Sequence, residues 1–136
     1  MSTNFLQAHE RHLNDANFLY EDSRYANAGQ LYGLAAECGL KELMIKFGMP
    51  LNNGSPQQNA DRVHVDRVWQ RYQSYQNSAA NGVNFSLTIV NPFTGWGIHQ
   101  RYWQNSCFNQ ATVEGYKNGV TLVANLIQKA RIEGLL

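Results

Sequence analysis

The densest concentration of chemically capable side chains is Trp96-Gly97-Ile98-His99-Gln100-Arg101-Tyr102-Trp103. Arginine offers a planar fork of donors that also stacks on a ring, while tryptophan and tyrosine offer broad faces with polar tips. That combination serves both for nucleobases and for protein hot spots. The competing reading is structural: Trp96, Ile98 and Tyr102 plug the open end of a helical bundle, and Arg101 caps a carboxylate or carbonyl. The structural reading is the commoner meaning of such a cluster.

Glu37 and Lys41 lie at i and i+4 in a strongly apolar stretch and can pair along one helix. Exposed pairs of this spacing are common and contribute little, so an ordinary salt bridge on a solvent-reaching stripe is expected; a charged pair lining a site is the alternative. Arg62, Arg67 and Arg71 can form a basic strip flanked by tyrosines, or simply a solvated face with Asp66 interspersed. His9 and His12 are one turn apart, as metal ligands on a helix can be, but no acidic or cysteine partner completes a recognisable set. His9 falls on an apolar row, where a core histidine with a satisfied ring is the usual explanation. Neither Ser nor Cys occurs in a nucleophile signature, and no glycine-rich phosphate loop follows a strand. Catalytic residues, metal ligands and cofactors are therefore expected to be none.

The elements that must position these groups are helices. Ala26 to Phe47 reads as one long helix, apolar or small around most of its circumference, and such a helix is central. Gly33 and Gly39 inside it each cost roughly 1 kcal/mol relative to Ala, which close approach by neighbouring helices would offset. Ser23 or Asp22 can cap its start, and Gly48 before Met49-Pro50 is a clear stop. Residues 3 to 20 form an amphipathic first helix through Leu6, His9, Leu13, Ala16 and Tyr20, antiparallel to the central one. Residues 51 to 59 read as a loop, and Ala60 to Gln76 as a third helix capped by Asn59. Phe85 to Val90 alternates like a short strand with nothing to pair with, so an extended segment or irregular helix is expected before the Asn91-to-Gly95 turn. Asn109 to Glu133 is the last helix, ended by Gly134. The fold class is all-α: an antiparallel bundle of four to five helices in one domain, residues 1–136.

Composition narrows the partners. Eleven Lys and Arg against ten Asp and Glu leave a net charge of +1, so no global basic field draws nucleic acid, and any RNA contact must be local. Cys38 and Cys107 show neither C-x-x-C nor finger spacing and read as two free thiols in a reducing compartment. The first residues, MSTNFLQAHE, lack a basic region followed by an apolar core, and no run approaches ~18 consecutive apolar residues. A cytoplasmic protein with no membrane partner is expected. Asn and Gln outnumber the charged residues, giving a polar, weakly charged surface whose plainest cause is composition bias.

Two stretches carry a family resemblance. Arg11-His12-Leu13-Asn14-Asp15-Ala16 followed by Tyr25 through Lys41, YANAGQLYGLAAECGLK, is similar to the first helical hairpin of small bacterial HEPN-like proteins. Gly95-Trp96-Gly97-Ile98-His99-Gln100-Arg101-Tyr102 resembles the tryptophan-then-Arg-Tyr segment before their last helix. The resemblance implies an α-helical bundle, often a homodimer, in a family of toxin ribonucleases, non-catalytic relatives, and nucleotide- or partner-binding modules of bacterial conflict systems. Catalytic members carry an arginine, four to six residues, then a histidine. No arginine stands five to seven residues before any histidine here, so no catalytic residue carries over.

The first expectation is a non-enzymatic binding protein of a conflict or toxin–antitoxin system. It would take a nucleotide, RNA or a protein in a groove edged by Glu37, Lys41, Trp96, His99, Arg101 and Tyr102. The second is an immunity protein that occludes a toxin. The third is a diverged ribonuclease using Arg101 with His99 or His64.

Overall fold

A computed structural model describes residues 2–136. Its order is α1 (Phe5–Glu21), α2 (Tyr25–Lys46), a two-stranded antiparallel hairpin of β1 (Leu51–Asn52) and β2 (Ser55–Pro56), α3 (Val65–Ser78) and α4 (Gln110–Ile132). Short 3₁₀ turns occupy Asn59–Asp61, Gly82–Phe85, Ile98–Tyr102 and Asn105–Cys107. The protein is all-α apart from the hairpin, which Asn53 and Gly54 close with positive φ.

The central helix lies where its composition requires. α2 packs on α1, α3 and α4, and Tyr32, Ala35, Ala36, Leu40, Leu43 and Met44 on it are fully buried. α1 is antiparallel to it: Tyr32 Oη donates to Asn17 Oδ1 at 2.7 Å, and His9 meets Ala35 and Gly39 farther along. The other two neighbours run in the opposite sense to that expected. Contacts of α2 with α4 advance together, from Gly29 against Val113 to Gly39 against Val123, and those with α3 advance from Glu37 beside His64 to Phe47 beside Tyr72. Antiparallel packing is thus realised by α1 against α2 and again against α4, where Tyr20 meets Gln110 and Glu10 meets Arg131, while α3 and α4 run parallel to α2. The connections at 47–64 and 79–109 carry the chain back along the molecule, which short loops cannot do.

Helix ends follow local chemistry. After α2, Gly48 takes φ +106°, its N–H donates to Ile45 and that of Met49 to Met44, so a left-handed residue satisfies two terminal carbonyls. Gly134 ends α4 in the same way, with Leu135 donating to Ala130. Asn109 caps α4 through its side chain, accepting from the Thr112 N–H at 2.9 Å. Two expected caps are corrected. Ser23 takes φ 60° to end α1 rather than capping α2, whose N-cap is Arg24 without a side-chain bond. Asn59 opens a 3₁₀ turn, and α3 begins only after His64. Asp61 is fully buried there, accepting from Arg71 Nε at 2.8 Å and Tyr75 Oη at 2.5 Å, so Arg71 is held by a carboxylate rather than standing free in a strip with Arg62 and Arg67.

Residues 83–95 are mainly irregular. Phe85 and Phe93 anchor the segment in the core while Val83 and Val90 stay exposed, and the Phe85 carbonyl accepts from Tyr72 Oη at 2.5 Å.

Candidate functional site

The expected groove divides into two places. Trp96 belongs to the core, as the structural reading has it: its indole is 2% exposed, fills the space over Gly33, and donates from Nε1 to the Gly29 carbonyl at 3.0 Å. The compensation for Gly33 is therefore a tryptophan ring rather than a helix. Gly39 does admit helices, since a Cβ there would stand 2.7 Å from both His9 of α1 and Val123 of α4.

Beyond Trp96 the chain turns outward. Tyr102 is 78% and Trp103 43% exposed, so Tyr102 plugs nothing, which corrects that part of the structural reading. The exposed Arg101 guanidinium sits 5.0 Å from the Tyr102 ring centroid rather than capping an oxygen. The exposed His99 meets Trp103 edge-on at 5.3 Å, and Trp103 in turn neighbours Phe108 at 6.2 Å. The 3₁₀ turn holds this row because Gln100, buried beneath it, donates from Nε2 to the Gly95 carbonyl at 2.9 Å. The result is a shelf of exposed, mutually inclined rings with one guanidinium.

Glu37 and Lys41 form the second place, and their expected exposure is corrected. They are 9% and 7% exposed, with Nζ 3.2 Å from Oε2. The central position of α2 causes this: neighbours on several sides leave no stripe for an ordinary surface bridge. Glu37 Oε1 also lies 3.0 Å from Nδ1 of His64, a half-exposed ring that the sequence places 27 residues away. A carboxylate against Nδ1 fixes the ring orientation and turns Nε2 away. The Trp96 ring backs His64 at 6.1 Å, so the two places are neighbours through that indole. Lys41, Arg62 and His64, with Asn52, Ser55, Pro56 and Val63, line an open groove of about 520 Å³ beside the β-hairpin. Sequence spacing gave no signal for His64 or Arg62 at this position, because both arrive through the irregular 47–64 connection.

His9 is structural. His9 is buried and its Nδ1 lies 2.7 Å from the Ala35 carbonyl, which can only accept, so Nδ1 carries the proton. Burial holds its pKa below the ordinary value. Burial and then the neighbouring Arg11 lower that of His12. Both cysteines are free, and burial pushes the Cys38 thiol up to about 12. Among the described residues no group of three or more His, Cys, Asp or Glu could hold a metal ion, and no helix is long and apolar enough to cross a membrane.

The fold and sites define an all-α protein with an aromatic shelf and an adjacent charged groove. Comparison with family models, curated proteins and solved structures finds no match to the chain.

Proposed function

We propose that this chain is a HEPN-like helical binding protein of a bacterial conflict system, which takes single-stranded RNA or a free nucleotide on the shelf formed by His99, Arg101, Tyr102 and Trp103. The observation that carries this reading is the exposure of Tyr102 and Trp103, with the Arg101 guanidinium over the Tyr102 ring. Burying such rings is favourable, so leaving two of them in water beside a cation suits a surface that is covered when a flat, electron-rich partner arrives. Bases stack on aromatic faces with about 1–3 kcal/mol each and little sequence preference. The net charge of +1 agrees with a contact led by stacking rather than by a broad electrostatic field. Nothing in this reading requires catalysis.

The test is intrinsic fluorescence. Trp69 and Trp96 are buried, so titration with a short uridine oligonucleotide reports mainly on Trp103. Saturable quenching is expected, and Tyr102→Ala weakens binding roughly 5- to 150-fold, the ratio corresponding to one stacked base. Absence of quenching with RNA and with free nucleotides refutes the reading. The same residue types form protein hot spots, and an immunity protein that covers a toxin would use them too. Native mass spectrometry separates the cases, since a co-purifying nucleotide or RNA fragment favours the first and a stoichiometric protein complex the second. It also reports whether the chain forms a homodimer. Loss of RNA cleavage in Arg101→Ala would mark the diverged ribonuclease; RNA left intact by the wild-type protein removes it.

A further inference from the structure

The Glu37–Lys41 pair has no evident stabilising purpose. Removing two charges from water commonly costs more than their attraction returns, and an apolar pair of similar volume often does as well. The pair is also incompletely matched. Lys41 has three N–H donors, yet among the described residues its one hydrogen-bonding partner is Glu37 Oε2; the Phe5 ring, 5.9 Å from Nζ, faces the ammonium without accepting a conventional hydrogen bond, and the side chain is 8% exposed and lines the groove. Arg62 faces the same groove with Nε committed to the Pro56 carbonyl at 2.7 Å and, among the described residues, no bond made by its terminal nitrogens. His64 completes the set, its Nδ1 held by Glu37 and Nε2 left open.

We propose that this groove is a binding site for a terminal phosphoryl group, a tetrahedral oxyanion with three free oxygens, supplied either as free phosphate or as a phosphate monoester. Nζ of Lys41 and the terminal N–H groups of Arg62 donate to two of those oxygens. The third meets Nε2 of His64. With Nδ1–H donating to Glu37, neutral His64 presents a lone pair that accepts the proton of hydrogen phosphate, and the imidazolium form donates instead. Glu37 serves as a positioning residue, holding both the ammonium and the ring. Two cationic side chains against one carboxylate leave the groove positive, which suits an anion carrying more than one negative charge. A phosphodiester offers only two free oxygens and one charge, so it fits less well. The inference rests on residues distinct from the aromatic shelf and stands independently of the function proposed for that shelf.

The test follows the His64 ring resonances by NMR at constant ionic strength, with inorganic phosphate, phenyl phosphate and dimethyl phosphate as probes. Saturable shifts are expected with the first two, and affinity for dimethyl phosphate at least tenfold lower. Arg62 is exposed, so Arg62→Gln keeps the fold and weakens phosphate at least tenfold. Lys41→Gln alone would strand a buried carboxylate; the Glu37→Gln/Lys41→Gln double variant avoids that and weakens phosphate to a similar extent. The ratio of inorganic to phenyl phosphate affinity identifies the free ion or the monoester as the ligand. Tyr102→Ala leaves these titrations unchanged. A linear, unsaturable response, an unchanged affinity in Arg62→Gln, or dimethyl phosphate equal to phenyl phosphate overturns the proposal.

Discussion

Replacing Gly33 by Ala tests the packing that joins the central helix to the aromatic segment. In an ordinary helix the change is favourable by roughly 1 kcal/mol, because alanine has less backbone freedom to lose. Here the new Cβ would lie 2.1 Å from both Cε2 and Nε1 of Trp96, far inside contact distance. Neither α2 nor a rigid indole gives way cheaply. Overpacking of this kind costs about 1–3 kcal/mol, and displacing the ring also breaks the 3.0 Å bond to the Gly29 carbonyl, worth about 1 kcal/mol. The balance is a loss of roughly 1–3 kcal/mol despite the better helix propensity. Gly115 in α4 is the matched control, since nothing lies within 4 Å of a Cβ built there. Gly115→Ala should therefore stabilise by up to about 1 kcal/mol. Urea unfolding followed by far-ultraviolet dichroism measures both. A Gly33→Ala protein as stable as Gly115→Ala would falsify the claim that the indole occupies the space over Gly33.

Two further expectations concern buried titrating groups. Because burial lowers the His9 pKa in the folded state, the unfolded chain binds more protons once the pH falls below the ordinary value of about 6.5. Stability is therefore full above that pH and declines as the medium becomes more acid. His12 acts in the same direction. His9→Asn retains a donor for the Ala35 carbonyl without the titration, so urea midpoints measured from pH 7.5 to 5 should fall less steeply; an unchanged slope rejects His9 as the cause. The cysteines differ in the same physical way. Cys107 is exposed, whereas Cys38 is partly covered with its thiol pushed up to about 12. One equivalent of an aromatic disulfide reagent should react quickly with the native protein and the second only on unfolding, with Cys107→Ser removing the fast phase.

The sequence by itself determined the helical plan wherever a signal was local. Apolar or small residues around most of the circumference of residues 26–47 require a central helix, because such a helix has too little polar face to lie on a surface. Gly48 and Gly134 mark stops because a left-handed residue costs them little, and Asn109 marks a start because its oxygen reaches a free N–H. The aromatic cluster was visible as a cluster, but period and composition cannot say which ring turns inward. That depends on Gly33, which lies 63 residues before Trp96 in the chain and, lacking a Cβ, leaves the space the indole fills. The groove was still less legible. An i, i+4 spacing establishes that Glu37 and Lys41 can pair, not whether the pair meets water, and burial followed only from how many neighbours α2 acquires. His64 and Arg62 reach it along an irregular connection with no periodicity to read. Local chemistry chose the helices and their ends; contacts between distant segments decided which charges were buried and which aromatic faces were left exposed.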